Sequence, residues 1–153
     1  MIPIRRILVP TDFSKFSESA LRYGCEFADR FDAELHVLHV VWNPLPPGPE
    51  NWGRTLHEYD DDIREAAGRD LQKLDVAPLS DRDRVLSSVR VGVPMPEIIL
   101  YARAKDVDLI VIGTHGRTGL PHVLMGSVAE KVVRKAPCPV LTVRRPEHKF
   151  VMP

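Results

Sequence analysis

The chain has 153 residues, of which 44% are hydrophobic and 27% charged, the size and composition of one globular domain that folds without disulfides or a structural metal. Lysine plus arginine number 21 and aspartate plus glutamate number 21, so the chain lacks the basic surplus that nucleic-acid binding or a polybasic membrane anchor draws on. No run approaches the ~18 apolar residues of a membrane helix, Asp12 comes too early for a signal-peptide core, and Cys25 and Cys138 form no metal or CxxC spacing; these point to a reduced, cytoplasmic protein.

The elements alternate along the chain. An apolar run at 4–9 stops at Pro10 and predicts a first strand. Residues 17–31 predict a helix whose stripe carries Ala20, Leu21, Gly24, Cys25, Ala28 and Phe31. A Val- and Leu-rich strand follows at 33–41, then a proline-rich segment at 43–53 between Trp42 and Trp52. A helix at 54–75 places Leu56, Tyr59, Ile63, Ala67, Leu71 and Leu74 on one stripe, with acidic residues early and basic residues late, as the helix dipole favours. Strands are predicted at 84–91, 108–112 and 139–143, and helices at 96–105 and 127–136. The runs at 7–9 and 109–112 do not alternate with polar residues, the pattern of strands buried on both faces. The order β-α-β-α-β-α-β-α-β implies a single-domain α/β fold, an open parallel five-stranded sheet with helices on both faces.

The segment from Gly113 to Val128 carries the most chemistry. It leaves the carboxyl end of a buried strand and runs into a helix start, which is where α/β proteins bind phosphates. Glycines allow backbone N–H groups to approach an anion, and the helix N-terminus adds free donors and the positive dipole end. Ser127 supplies a hydroxyl and Arg117 a forked cation. Ser127 and Glu130 also make the S-x-x-E pattern of a capping box, which requires no ligand, so spacing alone leaves both readings open. The loop is neither a Walker A sequence nor GxGxxG.

Three blocks resemble the universal stress protein family: Ile7-Leu-Val-Pro-Thr-Asp12, Asp108-Leu-Ile-Val-Ile-Gly-Thr-His-Gly-Arg117, and Gly126-Ser-Val-Ala-Glu130 leading to Pro137-Cys-Pro-Val-Leu-Thr-Val143. Gly113-x2-Gly116-x9-Gly126-Ser127 is similar to the glycine signature of the family's ATP-binding branch. The resemblance spans nearly the whole chain and implies a family domain at 1–145, a short tail at 146–153, and a Rossmann-like fold that is often dimeric. It implies ATP, or AMP or ADP, as ligand, with Mg²⁺ carried on the phosphates. Pro10, Thr11 and Asp12 match the block that lines the adenine and ribose, and Val40 the position whose backbone meets the adenine. Gly113, His115, Gly116 and Arg117 match the ribose and phosphate loop, and Gly126, Ser127 and Val128 the triphosphate-facing helix start. Ala129 departs from members that carry a second hydroxyl there.

The residues themselves agree with that assignment. Asp12 follows the first strand at the same sheet edge as Gly113, where a carboxylate accepts from an amine or a ribose hydroxyl, or else caps its own turn. His36 and His39 fall on opposite faces of their strand and cannot share a ligand. No catalytic lysine, paired carboxylates or serine–histidine–aspartate order stands near the loop, so a binding module is favoured over a slow ATPase or nucleotidyl-transfer enzyme, or a scaffold with a vestigial site. The short, apolar strand at 139–143, last in the chain, predicts a sheet edge and a homodimer through it.

Overall fold

Ile7, Leu8 and Val9 form the middle of strand β1 (Arg6–Thr11) and none has any surface in contact with solvent, which needs helices on both sides of the sheet. The computed structural model describes residues 2–42, 56–77, 79–115 and 125–144 and shows that arrangement. Helix α1 (Lys15–Phe31) leads to β2 (Glu34–Val41), α2 (Leu56–Gln72) to β3 (Val85–Val91), α3 (Pro94–Ala104) to β4 (Leu109–Gly113), and α4 (Ser127–Lys135) to β5 (Val140–Val143). The strands are all parallel and lie in the order β3-β2-β1-β4-β5, so the winding direction reverses between β1 and β4.

Each face of the sheet has its own core. Ile7, Val9, Leu35, Val37 and Val111 meet Ala20, Leu21, Cys25 and Ala28 of α1 and Leu71 of α2. Leu8, Leu38, Ile110 and Ile112 meet Ile98, Ile99 and Ala102 of α3 and Ala129 and Val132 of α4. Each buried Leu, Ile or Val adds roughly 1.5–3 kcal/mol by leaving water. Burial pushes the Cys25 thiol up to about 11 and raises that of Cys138, so neither is poised as a thiolate. On the α3 face His36 is buried, its Nδ1 2.9 Å from the Tyr101 hydroxyl. Burial holds the imidazole below the ordinary histidine range, although Glu34 lies 3.6 Å from its Nε2.

The strand order puts β5 at a sheet edge, as its place in the sequence implies. Three expectations are corrected. The α1 stripe ends at Ala28, and Phe31 is 49% exposed, its ring 6.1 Å from that of the partly buried Phe27. β1 does not stop at Pro10: it pairs with β2 through Pro10 and Thr11. Helix α3 begins at Pro94, before the expected Pro96, because a proline at the first helical position gives up an N–H that has no intrahelical acceptor anyway. Among the described residues no helix is long and apolar enough to cross a membrane. The predicted tail at 146–153 lies outside the described residues.

Candidate functional site

Beyond Leu8 the two central strands part. β1 pairs with β4 only at Ile7 and Leu8, whereas its pairing with β2 continues to Thr11 opposite His39. Pro10 has no N–H with which to resume the β4 ladder. A cavity of about 450 Å³ opens there, at the carboxyl ends of the strands, where the winding reverses and open parallel sheets hold their ligands.

One wall is the turn from β1 into α1, and its polar groups are largely turned on one another. The buried Thr11 hydroxyl donates to Ser17 Oγ at 3.1 Å and accepts from the Phe13 N–H at 3.1 Å. Ser17 in turn donates to the Ser14 carbonyl at 2.9 Å, and Ser14 Oγ caps α1 by accepting from the Ser17 N–H at 3.3 Å. Asp12 Oδ1 accepts from the Ser14 N–H at 3.0 Å, so the carboxylate is held in its own turn and aimed from there. Phe13 has φ of 63°, a left-handed conformation uncommon for a bulky residue. Its ring lies 4.5 Å from that of His39, whose Nδ1–H donates to the Thr11 carbonyl at 2.7 Å.

The opposite wall runs from β4 into α4. A Cβ on Gly113 would lie 2.8 Å from the Phe16 carbonyl oxygen, so the glycine is what lets the start of α1 come this close. The Thr114 N–H donates to the Val143 carbonyl at 3.0 Å, and the Thr114 carbonyl accepts from the Gly126 N–H, which ties the two ends of the intervening loop together. The His115 ring is 5.2 Å from that of Phe16, with Nδ1 3.1 Å from Thr114 Oγ1. Gly126 is the N-cap of α4 with φ of −66°, an angle open to any residue. Of the two readings left open for Ser127 and Glu130, the capping box does not form. Ser127 is the first residue inside the helix, and the Glu130 side chain pairs with Arg134 at 2.9 Å. That leaves the N–H groups of Ser127, Val128 and Ala129 without intrahelical acceptors, and all three residues line the cavity.

Of the site residues expected from the sequence, Pro10, Thr11, Asp12, Val40, Gly113, His115, Gly126, Ser127 and Val128 line this one cavity. Gly116 and Arg117 lie outside the described residues. Thr11 lines the cavity while its hydroxyl also braces the turn, through Ser17 Oγ and the Phe13 N–H. The sequence reading missed Ser17, Trp42, Pro94 and Ile98 in the wall. Trp42 could have been found, because it follows the β2 exit directly; Pro94 and Ile98 arrive only through the sheet order. Among the described residues no group of three or more His, Cys, Asp or Glu side chains is placed to hold a metal ion.

A parallel sheet with a crevice at its reversal point, apolar toward β2 and bounded toward β4 by a helix N-terminus, defines a Rossmann-like α/β protein. Residues 3–144 match the model of the universal stress protein family, and the chain belongs to that family. It is 36% identical over 148 residues to universal stress protein MJ0531 of Methanocaldococcus jannaschii, a match covering 95% of this chain and 85% of the relative. The solved structure of MJ0577, from the same organism, superposes with a TM-score of 0.79 at 31% identity, over 95% of this chain and 99% of that one. The universal stress protein of Archaeoglobus fulgidus in complex with dAMP superposes with a TM-score of 0.56 at 26% identity, over 93% and 98%.

Proposed function

We propose that this chain binds an adenine nucleotide, ATP foremost, across the end of β1, and that the bound state sets its contacts with other proteins as a cytoplasmic stress-response module. The carrying observation is that Ser127, Val128 and Ala129, whose amides have no intrahelical acceptor, line the same cavity as Asp12 and Val40. On this reading the base lies against the Val40 backbone at the β2 exit, and Asp12 accepts from the ribose or the base amine. Phosphates sit over Ser127 and Val128, where the helix dipole and N–H groups without intrahelical acceptors favour anions. Gly116 and Arg117 belong to the same phosphate loop. The dAMP held by the Archaeoglobus relative supports this ligand class. Mg²⁺ would ride on the phosphates, with Ser127 as the one hydroxyl in the first turn of α4. Turnover is slow on this reading, because His115, the nearest candidate base, has its Nδ1 on Thr114 and its ring on Phe16.

Calorimetric titration of nucleotide-stripped protein with ATP, AMP and GTP tests the assignment. ATP is expected to bind most tightly. Equal affinity for ATP and GTP would remove the adenine roles of Asp12 and Val40, and absence of binding by folded protein would remove the reading. We also propose that two copies pair through the edge strand β5, whose Val140 and Leu141 are only half-buried within one chain. Sedimentation at high micromolar concentration should return twice the 17.3 kDa chain mass, and the single mass would exclude the dimer.

A further inference from the structure

Trp42 is a large apolar side chain with 64% of its surface exposed, yet it belongs to the cavity wall. It is the first residue past β2, and its neighbour Val41 is fixed. The Val41 carbonyl accepts from the Gly92 N–H at 2.9 Å, which staples the end of β2 to the turn between β3 and α3. That turn is rigid. Gly92 has φ of 156°, and a Cβ there would meet Glu97 Cγ at 3.0 Å. The staple brings Trp42 to the same rim as Pro94, beside Val93, which is 56% exposed. The rim lies on the β2 side of β1, and the α4 amides lie on the β4 side. The lining also carries apolar Pro10, Leu38, Ile98 and Ile112 beside the polar Thr11, Asp12 and His39. Trp42 and the first turn of α4 thus line one cavity from opposite sides of β1.

Resting on the nucleotide reading above, we infer that Trp42 is the stacking platform for the nucleobase, closing over it from the mouth of the cavity. An indole face accepts any base, because every base has a π-face. Trp42 thus supplies affinity without choosing adenine, while choice lies with the polar groups at Asp12 and Val40. Stacking covers apolar surface that the unliganded protein leaves in water.

The test uses full-length protein carrying Trp52→Phe, so that Trp42 is the sole indole. Its emission should change saturably with ATP, with a midpoint equal to the calorimetric one. Trp42→Ala should weaken ATP and GTP by the same factor, about tenfold or more, and leave inorganic tripolyphosphate unchanged. Trp42→Phe should restore most of the affinity. If ATP binds the parent but folded Trp42→Ala binds it equally well, the stacking role falls and the nucleotide reading stands. If the parent binds no nucleotide, both fall. A loss shared by tripolyphosphate would also overturn the stacking role, since it would mean the whole cavity had changed. Should Trp42→Ala fail to fold, an indole emission indifferent to saturating ATP decides against it.

Discussion

The two walls of the cavity descend from neighbouring strands and solve the same problem in opposite ways. The β1–α1 turn directs most of its polar groups onto itself: Thr11, Ser14 and Ser17 bond one another and the local backbone, Asp12 Oδ1 accepts from the Ser14 N–H, and Phe13 is held left-handed. The β4–α4 wall has a glycine for its cap and leaves the first amides of its helix without intrahelical acceptors. One wall therefore provides rigidity and the other provides donors. A binding crevice needs both, because amides can only meet an anion in register if something unyielding stands opposite.

If the division is right, substitutions on the closed wall should cost stability, and those on the open wall should cost affinity at unchanged stability. Gly113, where the walls touch, should show the largest effect. Gly113→Val would drive a side chain into the Phe16 carbonyl and should destabilise by about 3 kcal/mol, read by urea unfolding at unchanged m-value. A loss under about 0.5 kcal/mol would mean that the start of α1 can retreat freely, with the walls not in fixed register. Thr11→Val keeps the shape but strips the Phe13 N–H of its acceptor. It should cost about 1–3 kcal/mol, and a neutral result would deny that the hydroxyl holds the turn.

The finest distinction is between two serines. Ser14 is an N-cap that accepts from the Ser17 N–H, so Ser14→Ala should cost about 1 kcal/mol, a fall in melting temperature of about 2–4 °C for a chain of this size. Ser127 caps nothing, so Ser127→Ala should change stability by less than about 0.5 kcal/mol while weakening ATP in calorimetry. Equal melting losses for the two variants would make Ser127 a cap and erase the contrast between the walls.

Much of this was legible in the sequence, for identifiable reasons. The unbroken apolar runs at 7–9 and 109–112 announced doubly covered strands, and both are. The glycine and serine positions at 113, 126 and 127 fall together because strand exits and helix starts share one end of a parallel sheet. What resisted reading was which partner each group chooses. The pattern S-x-x-E at Ser127 is the same whether the serine caps or stands one residue inside the helix, and Gly126 decided it. A proline reads as a stop, yet Pro10 ends only the pairing toward β4, since the strand needs one neighbour to continue. Phe31 satisfies the helical period but is the last residue of α1 and stays half-exposed, and the period alone does not say where the buried stripe ends.

The bond from the Gly126 N–H to the Thr114 carbonyl has a further consequence, for chain length. It fastens the exit of β4 to the start of α4, so the two ends of the intervening segment are held together. Closing a flexible excursion grows costlier only logarithmically, by about 0.6 kcal/mol for each doubling of its length. A change in the number of residues between those two anchors therefore falls on loop closure and leaves the sheet behind them in register.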